Sequence, residues 1–274
     1  EAAGANLSGV CRLFHKESAK TEAMVADYCT RRANVKEKVA QRLMKKNMFF
    51  AAMMVHLGDA SGMVAGVASA TTSVLQAAGL AIGYAHGVPC PSSIMLMRIA
   101  DFMGQGEKHM AFADPAVTVD PNPEELAAIA VQSGINFRRF IGEEPRVALL
   151  SFSSKGSANH AHVEKVQKAV AIAQGLDADF PIDGEFQADA AIVPHVAEKK
   201  IKIKSAVAGR ANVLVFPDLD AANCAYKLTQ YLAGADAIGP VLQGFRRPVN
   251  DLSRGASVDD IVRVSILTVL QTQS

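Results

Sequence analysis

Residues 147–152 read Val-Ala-Leu-Leu-Ser-Phe, run into Ser-Ser-Lys-Gly-Ser at 153–157, and are followed by Val163, Val166 and Val170 at helical spacing. An apolar strand without alternation has to be covered on both faces, so the unit of strand, polar loop and helix argues for a mostly parallel α/β architecture. The pattern recurs along the chain. Residues 51–56 are a second continuous apolar run, expected to be a strand, followed by a glycine-dense turn over 59–66 and a helix over 71–81. Residues 212–216 read as a third buried strand, whose end releases Pro217, Asp218 and Asp220 ahead of a helix carrying Asn223, Tyr226, Lys227 and Tyr231. Crevices beyond such strand ends are where open α/β sheets bind ligands.

Between these units, residues 19–48 carry the spacing of two helices with a break near Asn34, and short strands are expected at 111–113 and 117–119. Asn122, Pro123, Glu124 and Glu125 form a helix start, with a cap, a proline at the first helical position and acids in the first turn. Gly104 and Gly106 lack the third glycine and the preceding strand of a dinucleotide fingerprint. His160 and His162 stand two apart, a spacing that does not place both on one helix face, so they read as surface residues. Asp183, Glu185 and Asp189 could be general acid/base groups or a charged loop, and read as the loop.

A chain of 274 residues is at the length where one domain commonly becomes two. The composition shifts at residues 89–93, which places a lobe boundary near Val88. Lysine and arginine number 28 against 27 acids, so no global field recruits nucleic acid or an anionic membrane, and any polyanionic ligand must be held by local Arg and Lys. Cys11, Cys29, Cys90 and Cys224 show no metal-finger spacing, and a reducing cytoplasm fits a chain of this size. The run from 53 to 80 is interrupted by His56, Asp59 and several glycines and does not read as a membrane span. The first residues given do not read as the charged-then-apolar pattern expected of a secretory signal.

The densest group of functional residues lies between Ile238 and Ile261. Gly239 and Pro240 are expected to stop a strand and Gly244 to permit a turn, after which Asn250, Asp251, Ser253 and Arg254 crowd together ahead of Gly255. Ser257 and Asp260 then stand at capping-box spacing, so a helix is expected to start at Val258 and, being largely apolar, to be mostly buried. Its free N–H groups would face whatever Ser253 and Arg254 hold, a combination that favours phosphate. Capping alone also accounts for Ser257 and Asp260, and a solvated turn for Arg246 and Arg247. Residues 153–157 form a second phosphate-cradle candidate without the Walker spacing.

Gly-Pro-Val-Leu-Gln-Gly at 239–244, Arg-Pro-Val-Asn-Asp-Leu-Ser-Arg-Gly at 247–255 and Asp259-Asp260-Ile261 are similar to the signature of the phosphate acetyltransferase and butyryltransferase family. Gly-Asp-Ala-Ser-Gly-Met-Val-Ala-Gly at 58–66 and the stretches at 150–157, 183–189 and 212–220 resemble the same family in the same order. The resemblance implies two α/β lobes of isocitrate/isopropylmalate dehydrogenase type facing a cleft, residues 1–88 with 239–274 against residues 89–238, in a homodimer. By the same comparison the first strand-helix unit is expected to be missing from the start of the chain. The activity implied is reversible acyl transfer between coenzyme A and inorganic phosphate, with coenzyme A as substrate, no tightly bound cofactor and no metal. Ser253, Arg254 and Asp260 then stand at catalytic positions, with Asp260 the presumed base for the thiol. Arg31, Gln76, Ser153, Lys155, Asn223, Lys227, Tyr231 and Asn250 stand at substrate-binding positions. Gln76 and Tyr231 replace arginines of the usual pattern, and Thr30 replaces a leucine beside Arg31. A phosphate butyryltransferase, or a non-catalytic acyl-CoA-sensing domain like that appended to some malic enzymes, is the alternative.

Overall fold

The computed structural model describes residues 8–11, 13 and 20–273. Four helices and a short strand come first: α1 (Thr21–Arg31), α2 (Glu37–Met44), α3 (Asn47–Leu57), β1 (Met63–Gly66) and α4 (Thr71–Ala81). The chain continues through β2 (Ser92–Ile99), β3 (Lys108–Ala113), α5 (Pro123–Ile141), β4 (Val147–Leu150), α6 (Ala161–Gln174), β5 (Ile182–Phe186), α7 (Ala188–Ile192), α8 (Pro194–Lys200), β6 (Val213–Val215) and α9 (Leu219–Leu232). It closes with β7 (Asp236–Gln243), β8 (Val249–Leu252) and α10 (Val258–Thr272). The helices expected over 71–81 and from 123 form as read, the latter with a complete Asn122–Glu125 capping box. Of the stretch read as two helices, Ala19 lies outside the described residues.

Two sheets organise these elements. β1 and β8 pair in parallel, and six strands lie in the order β5-β4-β6-β3-β2-β7. In the larger sheet β3, β6, β4 and β5 are parallel, whereas β2 runs antiparallel to both β3 and β7. One face of it packs Ile94, Leu149 and Val213 against Leu126, Phe137 and Val166 of α5 and α6. The other face buries Met97, Phe112 and Phe186 with Ala222 of α9. A separate core joins Met24, Met44, Phe50 and Met53 of α1 to α3 with Val74 and Ala78 of α4 and Val249 of β8. Burial of this kind contributes about 25 cal/mol per Å² of apolar surface and is the dominant favourable term.

The chain passes between the sheets twice, through residues 82–91 and 244–248. These passages lie side by side: Ala85 donates its N–H to the Gly244 carbonyl at 2.9 Å, Arg246 donates to Gly83 at 3.1 Å, and the Tyr84 and Phe245 rings touch at 5.6 Å between centroids.

Several elements differ from the sequence expectation. Residues 51–56 belong to α3, not to a strand. The helix buries Phe49, Phe50, Ala52, Met53 and Val55, so it is apolar nearly all round, and a six-residue run from its middle carries no period that tells it from a strand. The turn read over 59–66 contains β1, and the charged loop read at 183–189 is β5 leading into α7. Residues 117–119 form no strand, because the Asp114 carboxylate accepts the N–H groups of Ala116, Val117 and Thr118 and folds the segment around itself. Gly239 and Pro240 do not stop β7. That strand is at the sheet edge, its register shifts opposite Ile94 and Leu96, and an edge irregularity is where a proline fits without breaking a ladder. Finally, α10 buries Val264, Leu267 and Thr268 only. Val258, Val262, Ile266 and Val269 are more than half exposed, because only one side of this helix packs against β7, β8 and α5.

Candidate active site

The parallel pair of β1 and β8 sets the site. Their register, Met63 with Val249 through Gly66 with Leu252, brings both carboxyl ends to one edge. From there the chain enters α4 at Thr71 and, through residues 253–257, α10 at Val258. Two helix N-termini therefore point toward the same side, each presenting a positive dipole end. The two loops are pinned together: Val67 donates its N–H to the Leu252 carbonyl at 2.9 Å, and the Thr71 hydroxyl donates to the Asp251 carboxylate. Gly66 allows this approach. A Cβ there would sit 2.3 Å from the Leu252 oxygen and 2.5 Å from Asp251 Oδ1, and its φ of +100° disfavours any other residue.

Ser253 and Arg254 emerge exposed at this edge, and Arg254 makes no hydrogen bond or ion pair among the described residues. Asp260 is engaged. Its carboxylate accepts from the Ser257 N–H at 2.9 Å and the Ser257 hydroxyl at 2.8 Å, while Ser257 Oγ accepts from the Asp260 N–H at 3.1 Å. The Ser257 backbone N–H, then its hydroxyl, hold the Asp260 carboxyl below the usual carboxylate range.

The expected substrate-binding residues separate into groups. Gln76 is exposed on α4. Arg31 lies at the other end of that helix, donating to the Ala81 carbonyl at 3.0 Å and to Asp27 at 2.8 Å. At 1.5 Å per residue, that places it about 15 Å along α4 from Thr71. Ser153 and Lys155 lie on the loop after β4, at the carboxyl edge of the six-stranded sheet. Ser153 is fully buried and donates to Glu185 at 2.8 Å, and the Lys155 ammonium is bonded to Asp183 and to the Gly184 carbonyl. Asn223, Lys227 and Tyr231 repeat every four residues along one face of α9. Asn223 donates to the Pro115 carbonyl at 3.0 Å, Lys227 is exposed, and Tyr231 is 80% exposed.

Asn250, also expected to bind substrate, is placed within the scaffold. It has no exposed surface, its oxygen accepts the Leu242 N–H at 2.7 Å, and its amide donates to Thr268 and Gln271. Asparagine here stitches β7, β8 and α10 together.

Glu185, not among the expected site residues, supports one of the expected loops. It is buried, and it accepts from the Gly156 N–H at 2.7 Å as well as from Ser153, so it fixes the Ser153–Lys155 loop from below. Burial alone would raise its carboxyl, but the Gly156 N–H and the Ser153 hydroxyl outweigh that and hold it below the usual range. The signal was present as one of three carboxylates within residues 183–189, but which of them turns inward is set by β5. Beside this loop, a crevice of about 570 Å³ opens at the carboxyl ends of β4 and β6, lined by Phe152, Lys165, Phe216 and Asp218 among others. Among the described residues, no group of three or more His, Cys, Asp and Glu is placed to hold a metal ion. No helix of the described residues is long and apolar enough to cross a membrane.

A parallel strand pair ending at two helix N-termini beside an unpaired arginine defines an α/β scaffold suited to anionic substrates. Residues 1–269 match the family model described as phosphate acetyl/butaryl transferase. The chain is 47% identical over 259 residues to the phosphate acetyltransferase of Thermoanaerobacterium thermosaccharolyticum, covering 94% of this chain and 79% of that protein. It is 41% identical to the phosphate acetyltransferase of Bacillus subtilis, covering 88% of this chain and 72% of that one. Among solved structures, the EutD phosphotransacetylase from Staphylococcus aureus superposes with a TM-score of 0.89 at 40% identity, covering 99% of this chain and 81% of that chain. A phosphotransacetylase from Streptococcus pyogenes gives a TM-score of 0.87, covering 93% and 76%. The chain belongs to the phosphate acetyl/butaryl transferase family.

Proposed function

We propose that this chain is a phosphate acetyltransferase, transferring an acetyl group reversibly between coenzyme A and inorganic phosphate. The observation that carries the reading is Arg254, uncommitted and exposed at the β8 carboxyl edge where the N-terminus of α10 also points. In the direction of thioester synthesis the coenzyme A thiolate attacks the acyl carbonyl carbon. The bond from that carbon to the phosphate oxygen breaks, and phosphate leaves with the electron pair. Arg254 offers bidentate charge-assisted contacts to the departing phosphate, and Ser253 with the α10 N–H groups adds donors. Asp260, in the first turn of α10, is the carboxylate assigned to take the thiol proton. Its depressed basicity makes it a weak match for a thiol near pKa ~8.5 unless substrate displaces it from Ser257.

The working unit proposed is a cytoplasmic homodimer of two-lobed protomers, residues 1–88 with 239–274 and residues 89–238. Coenzyme A spans the cleft along Gln76, Lys155 and the α9 face of Asn223, Lys227 and Tyr231. A thioester-absorbance assay with acetyl phosphate and coenzyme A tests this, with butyryl phosphate in parallel. Acetyl-dependent thioester formation that is abolished in Arg254→Ala supports the assignment. Binding of coenzyme A without turnover of either acyl phosphate points to the sensing domain instead, a reading favoured by the uncharged Gln76 and Tyr231.

A further inference from the structure

The end of the β1–β8 pair opposite Arg254 carries a second concentration of positive charge. A cavity of about 550 Å³ lies between α5, residues 243–249 and the last turn of α10, and reaches Ser61 just ahead of β1. Arg139, Arg246 and Arg247 line it with the amides of Gln132, Asn136 and Gln271, and no aspartate or glutamate does. Pro248 precedes β8 and Ser253 follows it, so the cavity and the catalytic loop are separated by the length of that strand, roughly 13 Å at 3.3 Å per residue.

Two features distinguish this from a solvated turn. The first is that its cations are not neutralised. Arg138, next to Arg139, is paired with Asp179 and Glu144, whereas the side chains of Arg139 and Arg247 make no hydrogen bond or ion pair among the described residues. Arg246 commits only its Nε, to the Tyr84 carbonyl at 3.0 Å, which aims its two terminal nitrogens. The second is a rigid floor. Asn136 is buried and donates to Gln243 at 3.0 Å, and Gln243 donates in turn to Ser92 and Ser133, at 3.0 and 2.9 Å. The field extends beyond the cavity: burial first, then the Arg31 charge, with further contributions from Arg246 and Arg247, holds the His56 imidazole below its usual range.

We propose that this cavity is a second anion-binding site, separate from the site of acyl transfer, for a small ligand bearing two or more negative charges on phosphate or carboxylate groups. Three guanidinium groups around one concave surface suit such a ligand, because each offers a planar fork to an oxyanion. The cavity is large enough for more than a single phosphate. Gln132 and Gln271 on its wall supply neutral donors and acceptors for the uncharged part of the ligand.

The test uses inorganic pyrophosphate and citrate as probes, in calorimetric titrations at about 0.1 M salt, where surface charge effects are partly screened. The protein is the Arg254→Ala variant, so that binding at the acyl-transfer site is weakened first. Saturable binding of pyrophosphate is expected if the ligand is a phosphate compound, and of citrate if it is a polycarboxylate. Arg139→Gln combined with Arg247→Gln should weaken that binding about tenfold or more, since each removes a charge-assisted contact. The same pair in the otherwise unaltered chain should leave acyl transfer within about twofold. No saturation by either probe below about 10 mM, or equal binding with and without the double replacement, overturns the proposal. A second measurement is independent of the variants. Phenylglyoxal labelling mapped by peptide mass should show Arg139 and Arg247 protected by the bound probe, and labelling unaffected by a saturating probe likewise overturns it.

Discussion

The Thr71 hydroxyl donates to the Asp251 carboxylate, joining the first residue of α4 to β8 across 180 positions of the chain. The other carboxylate oxygen, Oδ1, is buried against Gly66 with no hydrogen-bond partner among the described residues. Burial pushes the Asp251 carboxyl up, and the Thr71 hydroxyl offsets this only in part. A buried unpaired oxygen costs stability, so this contact places the two loops of the site rather than adding to the fold's stability.

Replacing Asp251 by Asn removes the buried charge and keeps the shape. A carboxyl raised in the folded state disfavours folding as pH rises from the unfolded value, near ~3.9, through the folded one. The urea midpoint of Asp251→Asn should therefore exceed that of the parent at neutral pH, and the difference should close below about pH 4. A lower midpoint at neutral pH would show that the charge is stabilising.

Arg254→Ala should reduce acyl transfer by roughly 10²–10³, the loss typical of an oxyanion donor, with stability changed by no more than about 0.5 kcal/mol. Steady-state kinetics and a thermal melt check both. A melt that collapses while turnover falls less than threefold would make the residue structural.

Asp260→Asn separates base from cap. Removal of a general base costs about 10²-fold or more in turnover, whereas loss of a cap interaction costs about 1 kcal/mol of stability. Both losses are expected here. Because the carboxyl is held low in the folded state, its contribution to stability is present above the unfolded value and fades as pH falls through the folded one. Parent and variant should therefore differ in stability at neutral pH and converge in acid. Turnover near normal with an unshifted pH profile would leave Asp260 a cap alone.

Glu185→Gln keeps an acceptor but removes the charge that the Gly156 N–H and the Ser153 hydroxyl engage. Loss of charge-assisted bonds of this kind costs about 1.5–3 kcal/mol. Amide exchange at Gly156 should speed up and the Michaelis constant for coenzyme A should rise. Unchanged exchange protection there would mean that the loop is held by Ser154 and Ser157 without it.

Gln76→Arg with Tyr231→Arg restores charge at two exposed positions on α4 and α9. The Michaelis constant for coenzyme A or acetyl phosphate should fall by about tenfold per productive contact. Constants unchanged or worse in a folded variant would show that the cleft takes a different ligand.

The architecture was legible wherever a strand carried its own boundaries, as at 147–150 and 213–215, and wherever caps were explicit, as at Asn122 and Ser257. It was illegible where burial on all sides erased the period, as in α3, and where a single carboxylate reorganised a segment, as Asp114 does for 115–118. The run at 250–260 stood out in the sequence by its density of Ser, Arg and Asp. The role of Asn250 was not readable, because whether a polar side chain in that run turns inward depends on Thr268 and Gln271, which are fixed only when α10 docks. The positive cavity escaped notice for the same reason. Arg139 and Arg247 stand 108 positions apart and meet only in the folded chain.

The paired passages at 82–91 and 244–248 constrain how the molecule can move. Two separate linkers would let one sheet twist, slide and tilt against the other. Here Gly83, Tyr84 and Ala85 are laced to Gly244, Phe245 and Arg246, so a bend in one linker would have to carry the other with it. Opening and closing would then move both linkers together, and substitutions in Tyr84 or Phe245 would alter the rate of substrate entry and product release without touching a reacting atom.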